Sequence, residues 1–310
     1  MTLRCRRPVR RRYLVAALLL ASAMLAGLAV WSNVLGVGDR FASVARRIEL
    51  IVDPPPDRPI EPTVRVTPRP SPSPTVAPTP APTPSGSLEP GVTPPPTPTP
   101  EPTPVRTKVD VTLLRHPERW FISEEDNEWC AVAGTQIVLA IHGKAELTVA
   151  FQKTLASRIG EWESRRDSHN GGWGPSAMVA ALEAYGVPGY QVRAYENRQD
   201  AMRDAAIAIS ELHAPVILLT WRGAHTWVMT GYRADADPTL FPDARVTGTY
   251  ILDPWYPRVS SIWGPSDPPG TFQDLSEMRR NYLVWRRPEG NYADRDGLFI
   301  AVLPTIRLDR

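Results

Sequence analysis

Three residues of this 310-residue sequence have side chains that could carry out nucleophilic catalysis: Cys130, His225 and Asp253. The sequence has two cysteines, Cys5 and Cys130. Cys130 lies in the first turn of a predicted helix. The unpaired N–H groups and the dipole of a helix N-terminus favour a thiolate, the nucleophilic form of cysteine. We therefore expect an activated sulfur beside N–H groups that can stabilise an oxyanion. The alternative is that Cys130 is a small buried hydrophobic residue.

His225 and Asp253 form the second half of this candidate site. His225 begins one predicted strand and Asp253 ends another, and an antiparallel hairpin would bring these two ends together. The register that pairs residue 225 with residue 253 also pairs Trp227 with Ile251 and places each pair on one face. An imidazole oriented by a carboxylate is the base and its orienting partner in a catalytic triad. Taken singly, His225 could be a structural histidine and Asp253 a turn residue.

The elements that position these residues change in type along the chain. Apolar residues at three- and four-residue spacing predict a helix over 129–141, and the same reasoning predicts helices over 148–158, 175–185 and 200–212. Short apolar runs between turn residues predict strands over 215–221, 226–232, 249–253, 259–263 and 298–303. Helices followed by strands predict an α+β domain with a mostly antiparallel sheet, which we place over residues 108–310.

The part of the chain before residue 108 has a different composition. Of the 35 prolines, 21 lie between residues 53 and 105, where few large apolar residues are available to offset the entropy of ordering. We predict a juxtamembrane segment and a disordered Pro/Thr-rich linker over 33–107. Residues 1–107 carry a charge of +6 and residues 108–310 a charge of −4, with no basic patch among aromatic residues. Nucleic acid is therefore excluded as an expected partner.

The first 32 residues predict a membrane association. Residues 1–12 form a basic tail that would stay in the cytoplasm, and the apolar run over 13–32 is long enough for a transmembrane anchor. The alternative is a signal peptide cleaved after the small residues at 21–23, which would release a secreted protein. We expect a single-pass membrane protein whose C-terminal domain is extracytoplasmic, tethered by this helix.

Three motifs together resemble a known family. They cover residues 128–136 around the cysteine, 223–232 around the histidine and 250–255 around the aspartate. With a Gly-Gly-Trp-Gly-Pro loop at 171–175, they look like the papain-like cysteine peptidases. The subgroup is that of the peptidase domain of bacteriocin-processing transporters and its stand-alone exported relatives. The resemblance implies a papain-like fold, with N-terminal helices packed on the sheet. It also implies Cys130 as nucleophile, His225 as base and Asp253 as orienting residue.

The sequence departs from this family pattern at the oxyanion donor. Relatives usually carry a glutamine five or six residues before the cysteine, where this chain has Glu125 and Glu124. A carboxylate accepts hydrogen bonds and repels an oxyanion, so it cannot fill that role unless it is protonated. Asn127 is the nearest amide and is our predicted oxyanion donor.

The remaining expectations concern the substrate. We predict a substrate cleft walled by Trp129, Gly172, Trp173 and Trp227, and we predict no metal or cofactor because no zinc-type spacing or phosphate-binding loop is present. The predicted function is a membrane-tethered extracytoplasmic thiol hydrolase, a cysteine peptidase acting on a peptide or protein substrate. Two alternatives stay open: a non-catalytic binding module of the same fold on a stalk, and a transglutaminase-like acyl transferase.

Overall fold

The computed structural model describes residues 19–28, 44–45, 48, 52–54, 56–68, 104–168, 173–287 and 292–308. The chain divides into two compact units, residues 1–56 and residues 57–310. In the first unit, the longest described element is a helix over 19–28 whose residues are all exposed. The candidate catalytic residues all belong to the second unit.

The predicted transmembrane helix over 13–32 is wrong. The described helix covers residues 19–28, and the rest of the predicted span lies outside the described residues. Within the described ranges, no helix has both the length and the apolar character needed to cross a membrane. This finding overturns the predicted anchor and the single-pass membrane location derived from it.

The second unit is α+β and is organised around one eight-stranded sheet. The sheet strands are β1 (Val64–Val66), β2 (Val109–Thr112), β3 (Tyr190–Tyr195), β4 (Val216–Thr220), β5 (His225–Ala234), β6 (Val246–Leu252), β9 (Thr271–Asp274) and β10 (Phe299–Pro304). They run in the order β1-β3-β10-β4-β5-β6-β9, and β2 pairs with the second half of β5. Strand β1 pairs with β3 in parallel, and the other pairs are antiparallel. A separate two-stranded ribbon consists of β7 (Val259–Ser260) and β8 (Gly264–Pro265).

In the described part of this unit, five α-helices cover the two faces of the sheet. They are α1 (Cys130–Ile141), α2 (Val149–Ser157), α3 (Pro175–Ala184), α4 (Arg198–Leu212) and α5 (Leu275–Asn281). Neighbouring residues of a strand point to opposite faces, so β4 and β5 contribute to two cores. Ile217 and Val228 pack with α1 and α3, whereas Leu218 and Met229 pack with α4. Strand β5 therefore lies at the centre of the unit, buried on both faces over most of its length.

Strand β1 lies inside the segment that composition marked as disordered. Its three residues pair in parallel with residues 193–195 of β3, and this pairing supplies the ordering energy that the local sequence lacks. The sheet therefore begins upstream of the boundary we predicted at residue 108. The Pro/Thr-rich run over 71–104 lies outside the described residues except for residue 104.

A buried ion pair fixes the start of α3 beside the candidate site. Arg295 is completely buried, and its Nη1 donates to Oδ1 of Asp167 at 2.8 Å. The same carboxylate accepts from the backbone N–H groups of Ser176 and Ala177, in the first turn of α3. Arg295 also donates through Nε to the hydroxyl of Thr63, just before β1. One guanidinium thus joins three segments that are far apart in sequence.

Replacing Arg295 should destabilise the second unit strongly. Arg295→Ala leaves the Asp167 carboxylate buried without its partner, and such a loss typically costs about 3–5 kcal/mol. The measurement is the free energy of unfolding in urea. The matched control is Arg166→Ala, because Arg166 pairs with Asp57 at the surface, where ion pairs contribute little. Equal stabilities of the two variants would contradict the importance of the buried pair.

Candidate active site

Helix α1 begins at Cys130, so the sulfur lies at a helix N-terminus as predicted from the periodicity. Trp129 is the N-cap residue, and its side chain makes no capping hydrogen bond. Ala133 N donates to Trp129 O at 2.8 Å, at the start of the helical ladder. The N–H groups of residues 130–132 precede this bond and are the donors that a helix start offers to an anion.

A glycine lets α1 approach β5 closely. A Cβ atom at Gly134 would lie 2.7 Å from Cγ2 of Thr226, which is well inside van der Waals contact. Thr226 is 1% exposed, and its branched side chain has few other rotamers available. Gly134 lies one turn after Cys130, and Thr226 directly follows His225. The close approach therefore determines how near the sulfur comes to the imidazole.

The imidazole of His225 is oriented by Asp253. Nε2 of His225 and Oδ1 of Asp253 are 2.7 Å apart, and both side chains are 2% exposed. Oδ1 also accepts from the backbone N–H of Trp255 at 2.9 Å, which fixes the carboxylate. Because Nε2 is engaged by Asp253, Nδ1 is the ring nitrogen left to exchange a proton with a nucleophile.

The hairpin register differs from the predicted one by two residues. Ile251 pairs with Met229 and not with Trp227, and bulges interrupt the pairing further along β5. A shift of two residues keeps every side chain on its original face, because side chains alternate with a period of two. His225 and Asp253 therefore still share a face and meet as diagonal neighbours.

The sulfur, the imidazole and a third group converge. Sγ of Cys130, a ring nitrogen of His225 and a carboxylate oxygen of Glu124 all lie within 4.8 Å of one another. Catalytic contacts of this kind commonly tighten when substrate binds. The three groups belong to the start of α1, the start of β5 and the segment before α1.

The surroundings of the Cys130 sulfur raise the pKa of its thiol, whereas a helix start alone favours the thiolate that we expected. Cys130 is partly exposed as a residue, but burial around its sulfur and, to a smaller extent, the Glu124 carboxylate raise the pKa of the thiol to about 12. The hydroxyl of Thr226 and the N–H of Ala131 act in the opposite direction and are outweighed. Burial therefore outweighs the helix start in its effect on the pKa of the Cys130 thiol.

Glu124 is the unexpected member of the site. Its side chain is buried, and its Oε1 accepts from Nη1 of Arg258 at 3.2 Å. Its Oε2 is buried without a hydrogen-bond partner among the described residues. Burial raises the pKa of the Glu124 carboxyl to about 8, although the Arg258 guanidinium acts to lower it. A carboxyl with that pKa is largely protonated at pH 7.

Asn127, our predicted oxyanion donor, is exposed and engaged elsewhere. Its Oδ1 accepts from Nη1 of Arg258 at 2.8 Å. The sequence pointed to Asn127 because we assumed that a glutamate would be ionised. The structure brings the Glu124 carboxyl next to the sulfur, and Asn127 as the donor stays a prediction.

Aromatic rings enclose the imidazole, a feature that the sequence analysis missed. The ring of Trp221 stacks on His225 with centroids 4.1 Å apart, and Trp263 stacks on the outer face of Trp221 at 5.7 Å. Trp255 meets the imidazole edge-on at 6.4 Å. Trp221 and Arg222 both have positive φ angles, a strained pair of residues just before the histidine strand. In the sequence, the Trp-Arg-Gly turn over 221–223, directly before the histidine strand, could have indicated an aromatic ring next to His225.

A narrow cleft of about 70 Å³ opens beside Cys130. Among the predicted cleft residues, Trp173 lies in its wall. Trp227 is buried in the core on the α4 side of the sheet, and Trp129 packs against the core around α1 and α3. Gly172 lies outside the described residues. The remaining walls include Met178, Trp285, Arg287 and Tyr292.

The spacing of this cluster would also suit a metal ion. Among the described residues, the side chains of Glu124, Cys130 and His225 bring their possible ligand atoms close enough together to bind one. The guanidinium of Arg258, 3.2 Å from Glu124, opposes a cation at that position. We assign no metal or cofactor to the site.

Comparison with known proteins gives a limited result. No family model matches the chain, and no curated protein matches it. Among solved structures, the chain is similar to a double glycine motif protease from an AMS/PCAT transporter in complex with the leader peptide. The identity is 16%, the TM-score is 0.30, and the match covers 60% of this chain and 91% of that one. The interpretation of the site therefore depends on its own geometry.

The close approach at Gly134 can be tested by stability measurements. Gly134→Ala should destabilise the protein, because overpacking of this kind costs about 1–3 kcal/mol and outweighs the roughly 1 kcal/mol that alanine gains over glycine in a helix. Thr226→Ser removes Cγ2 but keeps the hydroxyl, so the double variant should recover most of the loss. The measurement is the free energy of unfolding in urea for each variant.

The matched control for this pair is Gly160→Ala, because a Cβ atom there meets nothing within 4 Å. This variant should be as stable as the parent protein. Additive effects of Gly134→Ala and Thr226→Ser would show that the two positions are not in contact.

Proposed function

We propose that this protein is a thiol hydrolase that cleaves peptide bonds, with Cys130 as nucleophile, His225 as base and Asp253 as orienting residue. The observation that carries the proposal is the hydrogen bond of 2.7 Å between Nε2 of His225 and Asp253. In the same structure, the Cys130 sulfur lies within 4.8 Å of a ring nitrogen of His225. A buried carboxylate that orients an imidazole beside a nucleophile is the arrangement that acyl transfer requires.

In the first half of the reaction, Sγ of Cys130 attacks the carbonyl carbon of the scissile peptide bond. Because the resting thiol is neutral, its proton passes to Nδ1 of His225 as the S–C bond forms. The carbonyl π electrons move onto oxygen and give a tetrahedral oxyanion. The C–N bond then breaks, and the leaving amine takes the proton from the imidazolium, which Asp253 has stabilised.

In the second half, water hydrolyses the acyl-enzyme. Nδ1 of His225 takes a proton from water as the new C–O bond forms, and a second oxyanion develops. The C–S bond breaks, the carboxylic acid leaves and the proton returns to sulfur. The ring of Trp221 stacks on the imidazole and shields it from water during both halves.

A second candidate function is a non-catalytic binding module of the same fold. The specific observation in its favour is the Glu124 carboxyl beside the sulfur, since an ionised carboxylate there would oppose both a thiolate and an oxyanion. The two functions differ in whether Cys130 reacts through His225. The transglutaminase-like alternative stays a prediction that no observation favours.

The test is labelling by a peptide acyloxymethyl ketone, a probe that alkylates nucleophilic cysteines, with intact-protein mass as the readout. Cys130→Ala should abolish labelling, and His225→Ala should slow it by about 100-fold or more, because general-base catalysis contributes at least this much. Cys5→Ser is the matched control and should label like the parent protein. Circular dichroism checks that each variant is folded.

Persistent labelling of Cys130→Ala would refute Cys130 as the nucleophile. Equal labelling rates of the parent protein and His225→Ala would favour the binding module.

A further inference from the structure

The carboxyl of Glu124 lies beside both the Cys130 sulfur and the His225 imidazole. Its nearest oxygen, Sγ of Cys130 and a ring nitrogen of His225 are mutually within 4.8 Å, so a carbonyl group bonded to the sulfur falls within reach of it. The side chain is 1% exposed, and Oε2 is buried without a hydrogen-bond partner among the described residues. An unpartnered buried oxygen is costly and calls for a function.

Glu124 is held rigidly in this position. Its backbone N–H donates to Pro254 O at 2.9 Å, which ties it to the turn that carries Asp253. Arg258 donates from Nη1 to Oε1 at 3.2 Å and from Nη2 to the backbone oxygens of Glu124 and Glu125. The side chain therefore meets substrate with little loss of conformational entropy, as a catalytic donor should.

The hydrogen bond from Arg258 distinguishes the two carboxyl oxygens. Arg258 can only donate, so Oε1 acts as an acceptor. In a neutral carboxylic acid, the proton then resides on Oε2, the oxygen without a partner. An O–H group on Oε2 needs an acceptor, and a developing oxyanion on the carbonyl attacked by Cys130 supplies one.

We propose that Glu124 acts as a neutral carboxylic acid and donates a hydrogen bond from Oε2 to the oxyanion, together with the backbone N–H of Cys130. This inference rests on the proposed thiol hydrolase function and adds a catalytic residue to it. An oxyanion site with an acid donor works only while the carboxyl keeps its proton. The rate of acyl transfer then depends on the protonation of Glu124, in addition to that of the nucleophile and the base.

The charges that face Glu124 decide its protonation. Arg258 favours the ionised form, whereas Asp253 and Asp126 disfavour it, and so does any negative charge on Cys130. His225 is the remaining titratable neighbour within 4.8 Å. Burial is the largest influence and raises the pKa of the carboxyl to about 8. The donor is therefore present at pH 7 and is lost as the pH rises through about 8.

The experiment compares two reactions of the same sulfur in the full chain. Acylation by 4-nitrophenyl acetate passes through an oxyanion, whereas alkylation by iodoacetamide displaces iodide at carbon and forms none. The ratio of the two rates isolates the oxyanion donor, because thiol ionisation affects both reactions. Cys130→Ala must abolish both reactions at this site; if it does not, the proposed function itself fails.

For the parent protein we expect the ratio to fall as the pH rises through about 8. Glu124→Ala should lower the ratio at pH 7 by about 100–1,000-fold, the loss typical for one oxyanion donor. Glu124→Gln keeps the acceptor for Arg258 and provides a permanent donor, so its ratio should stay near the parent value at pH 7 and lose the alkaline decline. Glu125→Gln is the matched control, since Glu125 is exposed and pairs with Lys153.

An unchanged ratio in Glu124→Ala would overturn the assignment while leaving Cys130 as the nucleophile. If that variant does not fold, an alkaline decline that persists in Glu124→Gln overturns it equally. A parent ratio that changes when EDTA is added would make the carboxylate a metal ligand and not a donor, which also contradicts the proposal.

Discussion

The close approach of helix α1 to strand β5 is the constraint on which the proposed site depends. Gly134 has no Cβ atom, so the helix lies against Thr226 at a distance that any other residue would prevent. The start of the helix and the start of the strand are then neighbours, which brings Cys130 to His225. The strand itself is fixed from both sides, by the α1 and α3 core on one face and the α4 core on the other.

Burial, more than the helix dipole, determines the chemistry at this point. Removing water from the sulfur raises the pKa of the Cys130 thiol, and removing it from the carboxyl raises the pKa of Glu124. In the proposed reaction the imidazole therefore takes the thiol proton during the attack, and the acid proton serves the oxyanion. The proposed donor role would be lost if Glu124 were exposed, because an ionised carboxylate has no proton to donate and repels the oxyanion.

The sequence was sufficient to predict the local helices and strands, but it was less informative about contacts between residues far apart in the chain. The periodicity around Cys130 predicted α1, and the order of helices and strands predicted an α+β unit. The strand at Val64–Val66 could not be predicted, since its order comes from pairing with β3 and not from its own composition. The protonation of Glu124 was equally hidden, because it depends on burial that only the folded chain creates.

The most direct test of the convergence is a crystal structure of the protein after reaction with a peptide aldehyde, which forms a reversible hemithioacetal with a reactive cysteine. The account predicts a bond from Sγ of Cys130 to the aldehyde carbon. The new oxygen should lie within hydrogen-bond distance of Oε2 of Glu124 and of the Cys130 N–H, and Nδ1 of His225 should lie next to the sulfur. A structure in which the sulfur stays unmodified under saturating aldehyde, or in which His225 faces away from it, would contradict the account.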